Sequence, residues 1–310
     1  MTEPDNLIQT IETYLSFCKS RKNLDKKTIK SYSIDLKQYV KFITQNHLIW
    51  YKKDTLELYI DQLHKVYKPK SVKRKTASLK AFFHYLEIEE VIENAPFHKI
   101  QLHYNEPFLL PKTIPLKDIE AIIKYAYINN KSSSTPYTYQ VTLRNVLILE
   151  LLFASGMRIS ELCSLRLSQI NLNDYVIKIY GKGSRERLIQ ICNKNVQRLF
   201  DKYILYTNIS NEDYVFKNRL GNRLSEQSVR YMINDYAHKA NISQHITPHM
   251  SRHPFATLLL EEDVDIRYIQ QMLGHSSITT TQIYTHTSIN KQKSILYTKH
   301  PRNKIDIGLY

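Results

Sequence analysis

Four of the chain's ten prolines fall inside one segment, APFHKIQLHYNEPFLLPKTIP at residues 95–115. A pyrrolidine ring removes a backbone donor and turns the residue before it away from the α region, so neither a long helix nor a paired strand crosses such a stretch. It reads as a linker, and it forces the 310-residue chain to fold as two bodies, 1–107 and 108–310. A chain of this length, 42% hydrophobic, can bury a core in each.

The block before the linker carries helical periodicity throughout. Leu7, Ile8, Ile11, Tyr14, Leu15, Phe17 and Cys18 recur at the spacing of one helix face. A second helix starts at about Asp25, an acceptable N-cap, and carries Ile29, Tyr32, Ile34, Leu36, Tyr39, Val40 and Ile43. A third covers roughly 54–66, and a fourth follows Pro69 through Val72, Ala77, Leu79, Phe82, Phe83 and Leu86. Four helices of this length predict a small bundle, and only six glycines in the whole chain suit a helix-rich protein. Lys26, Lys27 and Lys30 open the second helix, while Lys70, Lys73, Arg74 and Lys75 open the fourth. Basic side chains at helix amino-termini favour phosphate, and either element could enter a major groove.

The block after the linker predicts helices near 116–126 and 139–153, the second strongly apolar and broken by Ser155-Gly156. Arg158 and Glu161 open the next helix three residues apart, on one face, where the carboxylate can pair the guanidinium. YVIKIYGKGSRERLIQIC at 175–192 alternates like two strands around Gly181–Ser184, which predicts a β-hairpin with Lys182 on its tip. Another amphipathic helix covers 224–240, with Ser225, Gln227, Ser228 and Arg230 near its start as groove or backbone contacts.

Charge narrows the partner. Residues 1–112 hold 19 Lys and Arg against 13 Asp and Glu, and the remainder 25 against 16, for +6 and +9 within a net charge of +15. An excess of that size on both bodies implies a polyanion, with nucleic acid favoured. The longest apolar run, Val146–Ala154, is interrupted by Glu150 and far too short to span a membrane. The amino-terminal MTEPDNLIQT has no basic and apolar pattern of a secretory leader. Cys18, Cys163 and Cys192 are scattered, which fits neither a disulfide framework nor a metal cluster and suits a reducing compartment; the expected location is the cytoplasm.

Chemistry concentrates between Thr247 and His286. Thr247 as N-cap and Pro248 at the first helical position put His249 and Arg252 on one face of an exposed helix start. A second helix, from about Asp265 to Leu273, ends at Gly274; His275 follows it and Tyr284 lies nine residues on. Imidazoles, a guanidinium fork and one phenol are equipment for handling a phosphate.

Taken in order, Arg158 in ASGMRISEL, Lys182 in YGKGSRER, His249 and Arg252 in HMSRH, His275 in LGHSS and Tyr284 in TQIYTH resemble the distributed signature of the tyrosine recombinase, or phage integrase, family. Xer-like recombinases and integrases of bacterial mobile elements are the closest overall type. The resemblance covers most of the chain. It implies a mainly α fold with a small β-hairpin or sheet, an amino-terminal four-helix DNA-binding bundle, and a catalytic domain that closes with it into a C-shaped clamp on DNA. It implies that Tyr284 attacks a phosphodiester to give a 3′-phosphotyrosyl bond and a free 5′-hydroxyl. Arg158 and Arg252 would neutralise the non-bridging oxygens, and Lys182 would protonate the leaving oxygen. His249 would act as acid and base, His275 would donate to the phosphate or place the tyrosine, and Glu161 would orient Arg158. No metal, ATP or other cofactor is implied. The expected partner is double-stranded DNA with inverted half-sites, bound by a protein that is monomeric when free. It would assemble as a homo-tetramer on two duplexes through the tail beyond Ser288.

Ser251 and Pro254 depart from the family pattern, which commonly has a large apolar residue before the arginine and a small hydroxyl residue after the following histidine. A proline inside the helix is expected to kink it or cost on the order of 3 kcal/mol. Two further classes share parts of this equipment: a type IB topoisomerase relaxing a single duplex, and a DNA-binding protein whose catalysis is weakened or lost.

Overall fold

A computed structural model describes residues 4–102, 104, 114–180 and 186–274, with the backbone alone at 4–6, 248–251 and 253. Two compact units result, Met1–Phe108 and Leu109–Tyr310. The first holds four helices: α1 (Pro4–Ser20), α2 (Lys26–Gln45), α3 (Lys53–Val66) and α4 (Pro69–Ile88). The carboxylate of Asp25 caps α2 by accepting from the Lys27 N–H at 2.8 Å, and Pro69 sits in the first turn of α4, where its missing donor costs nothing. Tyr14, Tyr39, Phe82 and Phe83 are fully buried at the centre of this bundle. Their rings meet edge-on, with centroids 5.3 Å apart for Tyr14 and Phe82 and 5.7 Å for Phe82 and Phe83.

The second unit is organised on α6 (Pro136–Ser155), which is apolar nearly all round and buries Leu147, Ile148, Leu151 and Leu152. α5 (Leu116–Lys131), α8 (Lys194–Thr207) and α10 (Pro248–Glu261) pack on it, and α9 (Glu226–Lys239) packs on α5. α5 runs to Lys131 rather than ending at Ala126, with Ser132 as its C-cap, and a reciprocal cap between Thr135 and Thr138 starts α6. α6 stops at Gly156, whose φ of 59° is left-handed. α7 (Ile159–Ser164) follows at once. The predicted hairpin is β2 (Val176–Tyr180) paired antiparallel with β3 (Glu186–Gln190), and a two-residue β1 (Ile170–Asn171) adds a third strand beside β2. The architecture is thus mainly α with one small antiparallel sheet.

α10 and the short α11 (Ile266–Leu273) share a small core of Ala256, Ile269 and Leu273, with Phe255, Leu259 and Leu260 against it. α10 continues through Pro254, its seventh residue, so the proline lies beyond the first turn and the helix forgoes the bond that residue 254 would donate to residue 250. No helix among the described residues is long and apolar enough to cross a membrane.

A polar cluster is buried between α2 and α4 of the first unit. Asp35, 1% exposed on α2, accepts from Arg74 Nη2 at 2.9 Å, Lys75 Nζ at 3.2 Å and Ser78 Oγ at 2.8 Å, all on α4. Lys75 also donates to Gln38 and is itself only 4% exposed. The expectation that Lys75 joins the DNA-contacting cluster is corrected on this point: its ammonium is committed to the interior, as the inward i+3 spacing from Val72 allows. Removing one partner of a buried charge cluster costs about 3–5 kcal/mol, because the remaining ions stay desolvated. Trp50 is the chain's single tryptophan, 6% exposed and 5.8 Å from Phe83, so its fluorescence reports on this unit. Asp35→Ala is expected to lower the unfolding free energy of this unit by an amount in that range, read as a lower tryptophan-detected urea midpoint of the full chain. A midpoint unchanged from the parent protein would show that the cluster does not hold α2 to α4.

Candidate active site

Three arginines from three different elements converge on the carboxyl end of α11. The last carbonyls of a helix lack intrahelical donors and carry the negative end of its dipole. Here Arg187 Nε on β3 donates to the Met272 carbonyl at 3.0 Å, Arg252 Nη2 on α10 donates to the Leu273 carbonyl, and Arg158 Nη2 donates to the Gly274 carbonyl at 3.2 Å. Arg252 also reaches back with Nη1 to the Gly156 carbonyl at 2.6 Å. The turn after α6 and the turn after α11 are thereby tied to one guanidinium.

Both turns need glycine. Gly156 and Gly274 have φ of 59° and 63°. A Cβ on Gly156 would lie 2.8 Å from the Phe255 ring, and one on Gly274 would lie 3.0 Å from Arg187 Cδ.

Glu161 anchors the arrangement. Its Oε2 accepts from the Arg158 backbone N–H at 2.7 Å, which fixes the start of α7, and its Oε1 accepts from Arg158 Nη1 at 2.9 Å. The same two oxygens receive Arg187 Nη1 at 2.9 Å and Nη2 at 2.6 Å, a planar two-point fork. Burial pushes the Glu161 carboxyl up. The bonds and charge of Arg187, followed by the backbone and side chain of Arg158, outweigh that and hold it below the ordinary carboxylate range. Arg252 is 5% exposed and the Arg187 side chain 8%, whereas Arg158 keeps 34% of its side chain open. Arg158 therefore offers the accessible cationic surface of the three, with the others set behind it.

Arg158, Glu161 and Arg252 are thus brought together. The backbone of His249 lies in the first turn of α10, three residues before Arg252. Lys182, His275 and Tyr284 lie outside the described residues, although β2 and β3 lead to the tip that carries Lys182, and Gly274 immediately precedes His275. The Ser251 side chain is likewise outside them. Ser225 caps α9, taking the Ser228 N–H at 3.0 Å, with Gln227 and Ser228 exposed beside it and Arg230 paired to Glu226 at 3.1 Å. In the first unit, Lys26, Lys27, Lys30, Lys70, Lys73 and Arg74 are exposed in the opening turns of α2 and α4, Arg74 while forked onto Asp35.

Sequence reasoning missed Arg187. Its signal was the strand alternation itself: in ERLIQI the residues sharing a face with Ile189 and Ile191 include Arg187, and the register sets Arg187 opposite Ile179, which is 3% exposed. A charged residue on the core face of a strand requires a buried partner, and Glu161 is that partner.

The second unit is thus mainly α with a small sheet, and two glycine turns gather three arginines at the end of α11. Residues 112–291 match the phage integrase family, and residues 11–90 match the phage integrase, N-terminal SAM-like domain. A tyrosine recombinase of Agathobacter rectalis is 52% identical over 300 residues, covering 96% of this chain and 98% of that protein. Tyrosine recombinase XerC of Staphylococcus epidermidis is 32% identical, covering 94% and 97%. Among solved structures, XerH site-specific recombinase bound to palindromic difH substrate, in a post-cleavage complex, aligns with a TM-score of 0.71 at 21% identity, over 91% of this chain and 83% of that one. The Tn1549 transposon integrase in complex with transposon right end DNA aligns at 0.68 and 19%, over 93% and 98%. The chain belongs to the phage integrase family of tyrosine recombinases, enzymes of site-specific DNA recombination.

The depressed Glu161 carboxyl makes a testable link to pH. A carboxyl held below its unfolded value contributes stability above about pH 4.3, the unfolded reference, and loses it as pH falls through the folded value. Glu161→Gln is expected to lower stability near neutrality by roughly 3 kcal/mol, since it strands two buried arginine contacts. It should also flatten the acid limb of stability against pH below about 4.3. Parallel acid limbs for the two proteins, in urea titrations across pH, would show that Glu161 carries no such linkage.

Proposed function

We propose that the chain cuts and rejoins DNA strands through Tyr284, with Arg158, Lys182, His249, Arg252 and His275 around the scissile phosphate. The observation that carries this reading is the convergence of Arg158 and Arg252 on the two glycine turns, one of which leads directly into His275. In-line attack by the Tyr284 phenolate forms the 3′-phosphotyrosyl bond, and the O5′–P bond breaks. Lys182 supplies the proton that turns the leaving oxygen into a 5′-hydroxyl, and His249 takes the phenol proton. Charge builds on the two non-bridging oxygens as five-coordinate phosphorus forms. Fixed guanidinium donors stabilise that charge more than the ground state, so they lower the barrier. The phosphotyrosyl link conserves the energy of the broken bond, and attack by another 5′-hydroxyl reverses the step onto a new strand. The chemistry asks for neither ATP nor metal.

The same reading gives the first unit the task of holding duplex DNA. Exposed lysines at the starts of α2 and α4 meet backbone phosphates, and the start of α9 supplies contacts from the second unit. Inverted half-sites, a homo-tetramer on two duplexes joined through the tail beyond Ser288, a monomer off DNA and action in the cytoplasm complete the proposal. The palindromic substrate of XerH supports the half-site symmetry.

A nicked duplex that loses its 5′-hydroxyl fragment on cleavage traps the adduct. The parent protein is expected to accumulate a covalent protein–DNA band, and Tyr284→Phe to bind the duplex without forming one. Arg158→Ala and Arg252→Ala should each slow adduct formation about 100- to 1000-fold. Binding by the parent protein with no adduct at all would sink the assignment. Strands joined between two different duplexes then separate recombination from relaxation of one.

A further inference from the structure

We propose that Arg187 is a positioning residue for strand cleavage: from β3 it holds, through Glu161 and the Met272 carbonyl, both the guanidinium of Arg158 and the turn that leads into His275. The inference rests on the roles proposed above for Arg158 and His275.

Arg187 faces the protein interior. Its side chain is 8% exposed, and all three of its nitrogens are committed, Nη1 and Nη2 to Glu161 at 2.9 and 2.6 Å and Nε to Met272 at 3.0 Å. Glu161 cannot turn without moving Arg158, which shares its Oε1. The end of α11 cannot shift without breaking the Nε bond. Gly274 rests directly against the guanidinium, 3.0 Å from where its Cβ would stand to Nη1. Two separately placed pieces of the phosphate site are therefore referenced to one side chain. Lysine cannot substitute, because a single ammonium cannot span two carboxylate oxygens and a carbonyl in one plane. The strand adds a further consequence. Arg187 is held opposite Ile179 by the β2–β3 register, one pair from the turn end of the hairpin and five residues beyond Lys182 in sequence, so the hairpin is tied near that end to Glu161 and the end of α11.

The test uses the full-length protein and the nicked duplex, under saturating protein and in a single turnover. Arg187→Lys and Arg187→Met are expected to form the covalent adduct about 100-fold more slowly than the parent, the size of effect that small misplacement of a reacting constellation produces. Their affinity for the duplex should equal that of the parent protein. A duplex with sulfur at the 5′-bridging position supplies the second readout, since a thiolate leaves without a proton. Sulfur should restore Lys182→Ala and leave Arg187→Lys slow. An Arg187→Lys adduct rate equal to the parent's overturns the proposal, and so does a loss accounted for by weaker binding. Rescue of Arg187→Lys by sulfur also overturns it, because Arg187 would then serve the leaving-group proton. Should Arg187→Met fail to fold, Arg187→Lys alone decides the matter. If the parent protein forms no adduct, the Tyr284 reading fails first. If sulfur leaves Lys182→Ala slow, only the general-acid assignment falls, and the oxygen substrate still judges Arg187.

Discussion

One buried carboxylate, shared by two guanidiniums, holds the catalytic unit in register. Desolvating Glu161 costs several kcal/mol, and the cost is offset only while its oxygens are filled by the Arg158 backbone, the Arg158 side chain and the Arg187 fork. Hydrogen bonds to an ionised group contribute about 1.5–3 kcal/mol each, so the four together offset the desolvation and each one lost erodes that margin. The contacts therefore support one another. The start of α7, strand β3 and the end of α11 behave as one piece because any relative shift uncovers a charge that has no water to turn to.

Arg252 applies the same logic to neutral backbone. Its donors go to the Gly156 and Leu273 carbonyls, orphaned acceptors of two helix ends, and it is more deeply buried than Arg158. The side chains on the two turns also interlock, with Phe255 and Leu273 packed where a Gly156 Cβ would stand. Backbone geometry and charge placement thus depend on each other. A left-handed glycine permits the approach, and the arginine fixes it.

The helical elements and the break at Gly156 were legible because periodicity, capping residues and glycine act locally. Asp25, Pro69, Asp265 and Gly274 terminate elements at the places their own chemistry dictates. The family motif singled out Arg158 and Arg252 and the helix spacing Glu161, and these meet in space among the described residues. What stayed hidden depends on distant partners. β1 is two residues long and exists only because β2 is beside it. α8 carries ordinary amphipathic spacing but no chemistry to draw attention to it. Lys75 reads as one more lysine in a basic run, and only Asp35, forty positions earlier, makes it an interior residue. Arg187 is the mirror case, a charge on the inward phase of a strand, whose partner lies 26 positions away.

Both units meet the same difficulty in the same way. A surface meant for a polyanion crowds cations together, and their mutual repulsion opposes compaction. Each unit buries one acid that gathers two of its cations: Asp35 takes Arg74 and Lys75, and Glu161 takes Arg158 and Arg187. Of these four, Lys75 and Arg187 are buried and do not exchange counterions with solvent as free surface lysines do. On the proposed reading of the exposed lysines of α2 and α4, the formal charge of the sequence therefore overstates the binding strength that salt can modulate. Charge count and charge role separate, because Lys75 and Arg187 constrain the fold from its interior.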